Sequence, residues 1–208
     1  MAKKMPVSII SMGGAFSNSI DAVVQQCAVD VGLVPVLGQD WFIGEGGVKV
    51  ITKRDAKRIK ERIDELAARG GEGERALLVA GKSSGAVLAW NTFRFHFPTI
   101  IKEFSRCAVV LVDPHGAVTL DHKPGPYCAR RDLTWPPDWS KDTKIFRVYN
   151  IYQHKHPRPT AEGITGASFP GAFENKEITE AGVHHMNIAE RRQTRSMITR
   201  ALKFAMKG

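Results

Sequence analysis

The chain is poor in cysteine, lacks long apolar runs, and has fewer acidic than basic residues. Its three cysteines, Cys27, Cys107 and Cys128, are an odd number with no close pair. That excludes the paired framework of a disulfide-stapled scaffold and reads as buried free thiols in a reducing compartment. No apolar stretch approaches the roughly 20 residues of a membrane-spanning helix. After Lys3 and Lys4 the apolar stretch covers only Val7 to Met12 and is broken by Ser8 and Ser11. This is too short and too polar for a secretory leader, so a cytoplasmic protein is expected. Neither an internal repeat nor a low-complexity tract is visible. With 43% hydrophobic and 25% charged residues, a disordered chain, a collagen-like repeat and a coiled coil are excluded. The 208 residues are enough to bury a core as a single domain spanning 1–208.

Short strand-like runs alternate with helical patterns. Val7–Met12 reads as a strand ending at Gly13-Gly14. Ser17-Asn18-Ser19 supplies capping chemistry, and Ile20, Val23, Val24, Cys27, Ala28 and Val31 then form one helical face. Leu33–Leu37 reads as a second strand at an edge, because it contains Pro35. Residues 39–47 read as a glycine-rich loop, followed by a helix from about Thr52 to Ala68. Ala76–Ala80 and Cys107–Val112 are continuous apolar runs suited to the centre of a parallel sheet. Lys144–Tyr152 alternates like a strand, and a last helix is expected from about Met186 to Lys207. Residues 117–143 and 153–182 read as long loops. The sum is an α/β fold: a single three-layer domain with a mainly parallel sheet of about five strands flanked by helices. Ligands of such sheets bind beyond the C-terminal strand ends.

One motif sits at such an end. Gly81-Lys82-Ser83-Ser84-Gly85 is G-x-S-x-G between a buried strand and an amphipathic helix. This is the context of a nucleophile elbow. A sharp strand-to-helix turn forces the serine into a strained conformation and leaves no room for side chains two residues either side. The hydroxyl then stands at a helix N-terminus, which favours a developing anion. A Walker A reading of Gly81-Lys82-Ser83 would need glycine at residue 76, which is Ala76, and loop where Leu77–Ala80 reads as strand.

A serine nucleophile needs a base, an acid and oxyanion donors. In a Ser–acid–His order the histidine precedes the closing helix, and His184-His185-Met186-Asn187-Ile188 fits. His185 is the preferred base, with Ile188 anchoring the helix start, and His184 is the alternative. Asp113 follows the strand after the nucleophile helix, so it falls on the same sheet edge. The end of the next strand, near Gln153 and His154, carries no carboxylate, which leaves Glu162 as the second candidate acid. The backbone N–H groups of Ser84 and Gly14 are the candidate oxyanion donors. In this order Val7–Ala15, Gly81–Gly85, Asp113 and His185 resemble a compact α/β-hydrolase, of cutinase, lipase or esterase type. The resemblance covers about residues 7–205. It implies hydrolysis of an ester, thioester or amide of a small-molecule or lipid-like substrate through an acyl-enzyme, with no cofactor. The chain departs from the pattern at Met12, at the position of the acid, and at Lys82 beside the nucleophile.

Other features point elsewhere. His154-Lys155-His156 is a possible metal pair, but no cysteine or carboxylate cluster supports it. Trp41, Phe42, Trp135 and Trp139 fall in expected loops and are candidates to line or cover a substrate pocket. The net charge of +9 concentrates in residues 53–62 and 191–208. Both stretches interleave with apolar stripes, as solvated helix faces do, and no nucleic-acid module is evident. The alternative function is therefore a non-catalytic α/β module that binds an anionic partner through these basic helices.

Overall fold

Two apolar runs form the centre of the molecule. In the computed structural model of the chain, residues 5–14, 19–33, 42–48, 53–69, 75–115, 144–153, 166, 168–169 and 171–207 are described. The strand Ala76–Lys82 is buried at every position and pairs in parallel with Arg106–Val112. Numbered along the chain, the strands are β1 (Val7–Gly14), β2 (Phe42–Val48), β3 (Ala76–Lys82), β4 (Arg106–Val112), β5 (Phe146–Tyr152) and β6 (Glu174–Glu177). They form one six-stranded sheet in the order β2-β1-β3-β4-β5-β6, and every neighbouring pair is parallel.

The helices are α1 (Ser19–Asp30), α2 (Lys53–Arg69), α3 (Ser84–Glu103) and α4 (Arg192–Ala205). Side chains alternate across each strand. Leu77 and Val79 of β3, with Cys107, Val109 and Leu111 of β4, join Ile59, Ile63 and Leu66 of α2 and Leu88, Trp90 and Phe93 of α3. On the other face, Ala76, Leu78 and Ala80, with Ala108, Val110 and Val112, join Ile20, Val24 and Cys27 of α1 and Met197, Ile198, Ala201 and Leu202 of α4. This division follows from handedness. The crossover through α1 runs one way along the sheet, and those through α2 and α3 run the other. Right-handed connections therefore place them on opposite faces. The reversal falls between β1 and β3, and ligands of such sheets bind at the C-terminal strand ends beside it.

The three-layer α/β architecture with a parallel sheet is as expected, but several local expectations need correction. A stretch read as loop contains the short strand β6. It is a charged edge strand tied to β5 from residue 149 to residue 152. The expected glycine-rich loop at 39–47 contains β2 instead, and residues 34–41, with most of the expected second strand, lie outside the described residues. The last helix begins later than Met186. A 3₁₀ turn spans Ile188–Glu190, and Arg191 is extended (φ −69°, ψ 147°) before α4 starts. Among the described residues, no helix is long and apolar enough to cross a membrane.

Glycines set how closely α3 approaches the sheet. A Cβ on Gly85 would lie 2.3 Å from the Met12 carbonyl oxygen and 2.7 Å from that of Gly13. Gly85→Ala gains helix propensity of about 1 kcal/mol but forces backbone apart in a packed core, which typically costs about 1–3 kcal/mol. Steric conflict with main chain should win. The expected outcome is a lower midpoint of urea unfolding with an unchanged slope, and a midpoint equal to or above that of the parent would contradict it.

Candidate active site

Ser83 stands where β3 turns into α3, and its backbone is strained: φ 57°, ψ −125°. A non-glycine residue held in such a sparsely populated region costs on the order of 1–3 kcal/mol and persists only where its surroundings enforce it. Here they do. The Ser83 N–H donates to the Val112 carbonyl at 2.9 Å, and its carbonyl accepts from the N–H groups of Ala86 (3.1 Å) and His115 (3.3 Å). The flanking glycines are required by space, since a Cβ on Gly81 would lie 2.3 Å from the Gly85 carbonyl oxygen. Gly14, at the end of β1, presses directly on the serine. A Cβ there would lie 2.6 Å from Ser83 Cβ and 3.1 Å from its Oγ. Ser84 is the first residue of α3, so its N–H belongs to the helix's first turn.

Asp113 follows β4 and also has positive φ, 47°. Its carboxylate is wholly buried, a position it can hold as an anion only if hydrogen-bonded. Oδ1 accepts the Gln153 N–H at 3.0 Å, and Oδ2 accepts the Gln153 side-chain N–H at 3.3 Å. Oδ2 also lies 2.6 Å from Nδ1 of His185, a residue only 3% exposed. A carboxylate has no proton to give, so Nδ1–H is the donor and Nε2 is left as the basic nitrogen. Gly166 closes over the carboxylate; a Cβ there would lie 2.0 Å from Asp113 Oδ1.

His184 does not meet the acid. Its N–H donates to the Asn187 side-chain oxygen at 3.0 Å, and its carbonyl accepts from the N–H groups of Asn187 and Ile188. It shapes the turn that delivers His185. Three residues not singled out as site members also stand here. Gln153 occupies the strand end where a carboxylate was sought, and holds Asp113. His115 packs edge-on against His185, with ring centroids 6.2 Å apart. Lys82, 1% exposed, donates from Nζ to the Met186 carbonyl at 2.9 Å. Burial pushes the lysine below its ordinary pKa, and the Asp113 and Glu190 carboxylates pull it back up.

The aromatic candidates fare differently. Trp41, Trp135 and Trp139 lie outside the described residues, as do Glu162, His154 and His156. Phe42 is corrected. It pairs with Ile9, whereas Gly14 pairs with Val48. The backbone of Phe42 is thus at the start of β2, roughly 20 Å along the strand from the edge that carries Ser83. Among the described residues, no group of three or more His, Cys, Asp or Glu is suited to a metal ion. The basic helices are largely solvated faces. On α2, Lys60 pairs with Asp64 and Glu103, and Arg62 with Glu65; on α4, Arg200 pairs with Glu174.

No protein-family model matches the chain, and no curated protein does. Solved structures do. A cutinase-like protein from Cryptococcus sp. superposes with a TM-score of 0.53 at 9% identity, over 98% of this chain and 97% of that one. An esterase from Rhizomucor miehei gives 0.53 at 14% identity, over 98% of this chain and 76% of that one. Phospholipase PlaB from Legionella pneumophila gives 0.48 at 14% identity; the match covers 72% of this chain and only 38% of the phospholipase. What this likeness carries is architecture: the parallel sheet and its helical layers are those of the α/β-hydrolase fold.

Proposed function

We propose that the chain is a serine hydrolase that cleaves an ester, or a related thioester or amide, of a small-molecule or lipid-like substrate through an acyl-enzyme. The observation that carries this reading is the buried 2.6 Å contact between His185 Nδ1 and Asp113 Oδ2, on the sheet edge where Ser83 sits in its strained elbow. The triad is Ser83, His185 and Asp113. His185 Nε2 accepts the Ser83 proton as Oγ bonds to the substrate carbonyl carbon. The tetrahedral oxyanion is held by the N–H groups of Gly14 and Ser84. Collapse breaks the bond to the leaving group, which takes the proton from His185. Water then repeats the sequence on the acyl-enzyme, and Ser83 is restored.

Asp113 keeps His185 in the tautomer that leaves Nε2 basic, and it stabilises the imidazolium that forms. The Gln153 donors hold the carboxylate in place for this. Trp41 and Trp135 remain proposed pocket residues, and segment 117–143 a proposed cover; β6, within segment 153–182, is part of the sheet. A cytoplasmic site of action is part of the proposal, in keeping with the buried free thiols of Cys27 and Cys107.

Ser83→Ala should lower turnover of an activated short-chain ester by at least about 10³-fold in a folded protein. A non-catalytic module binding anions through α2 and α4 would show no dependence on Ser83, so retained turnover would sink the mechanism. Asp113→Asn should keep the fold and lower kcat by about 10³- to 10⁴-fold, since an amide can stabilise the wrong imidazole tautomer. A loss under tenfold would remove Asp113 from the role. Gly14→Ala places a methyl against the Ser83 hydroxyl. Its kcat should fall by about 10²-fold, and unchanged kcat would remove Gly14 from the oxyanion site.

A further inference from the structure

We infer that Lys82 is a positioning residue of the proposed reaction: its buried ammonium ties the strand that carries Ser83 to the turn that carries His185. The inference rests on the hydrolase reading and extends it to a residue that does not touch substrate.

Sheet register explains where the side chain goes. Residues 76, 78, 80 and 82 alternate onto one face of β3, and Ala76, Leu78 and Ala80 pack there with α1, α4 and Ile188. The position after Ala80 on this face would suit another apolar side chain. A lysine is there instead, 1% exposed, with Nζ 2.9 Å from the Met186 carbonyl oxygen. A buried ammonium is costly and is retained where hydrogen bonds and opposite charge offset that cost. Met186 is the residue after His185. Its carbonyl orients the peptide that leads away from the imidazole, while the N–H groups of Asn187 and Ile188 close the same turn onto the His184 carbonyl.

The tie therefore fixes the distance between the two reacting side chains through main chain. Asp113 holds the ring from the other side. The charged and titratable groups around the ammonium are Asp113 at the end of β4 and Glu190 of the 3₁₀ turn. His185 is reached through Asp113, and His115 lies against His185.

The test uses Lys82→Met and Lys82→Gln in the full chain, with an activated short-chain ester and with folding checked by circular dichroism. Loosening a reacting geometry by about 1 Å lowers rates by up to about 100-fold. Lys82→Met should lose about 10- to 100-fold in kcat with KM within about twofold. Lys82→Gln keeps a donor for the Met186 carbonyl and should recover part of that loss. A folded Lys82→Met with parental kcat would overturn the inference, as would a rise in KM alone. If Lys82→Met does not fold, Lys82→Gln decides: a lowered kcat with KM unchanged supports the inference, and a parental kcat overturns it. Turnover retained in Ser83→Ala defeats the hydrolase reading itself. Turnover lost there, with parental Lys82 variants, removes only the role of Lys82.

Discussion

The strained backbone of Ser83 is the constraint around which the rest of the site is arranged. A positive φ at serine is unfavourable in isolation, and main-chain hydrogen bonds and three glycine contacts enforce it. Gly81 gives way to Gly85, Gly85 gives way to β1, and Gly14 gives way to Ser83 itself. The first two contacts are between backbones, so neither can be relieved by rotating a side chain. The cost is offset by the doubly covered core of β1, β3 and β4, whose central positions are fully buried. The elbow follows β3, beside the point where the strand order reverses, the place where α/β sheets bind ligands.

A second consequence is the concentration of buried polarity at that edge. Lys82, Asp113, Gln153 and His185 are all buried in a molecule whose other described strand positions in β3 and β4 are overwhelmingly apolar. They are linked: Gln153 to Asp113, Asp113 to His185, and Lys82 to the peptide beyond His185. Such a set is tolerable only when its members satisfy one another, and once satisfied it holds a single geometry. Asp113 shares the strain, with a positive φ of its own and a Gly166 backbone pressed on its carboxylate. The two strained residues follow adjacent, paired strands.

Much of this was legible in the sequence because sterics leave marks in residue type. Gly81 and Gly85 had to be glycine for the reason that their contacts show, and the apolar runs of β3 and β4 announced strands covered on both faces. Asp113 and His185 followed from chain order, since one helix-plus-strand unit returns the chain to the same edge. Other parts left no such mark. β2 carries Gly44, Gly46 and Gly47, which read as loop, and it is a strand through its pairing with β1. β6 is Glu-Asn-Lys-Glu at an exposed edge, with no alternation to betray it. The start of α4 depends on the extended Arg191. The roles of Gln153 and Lys82 depend on Asp113 and Met186, and neither partner is near in sequence.

The central claim is that Ser83 is an activated nucleophile and not only a tight turn. The most direct measurement is reaction of the folded chain with a fluorophosphonate, followed by mass spectrometry of its peptides. The account predicts one adduct, on Ser83, formed rapidly in the parent and greatly slowed in Asp113→Asn, where the base is no longer held in its working tautomer. No adduct in the folded parent, or one located at another residue, would contradict it.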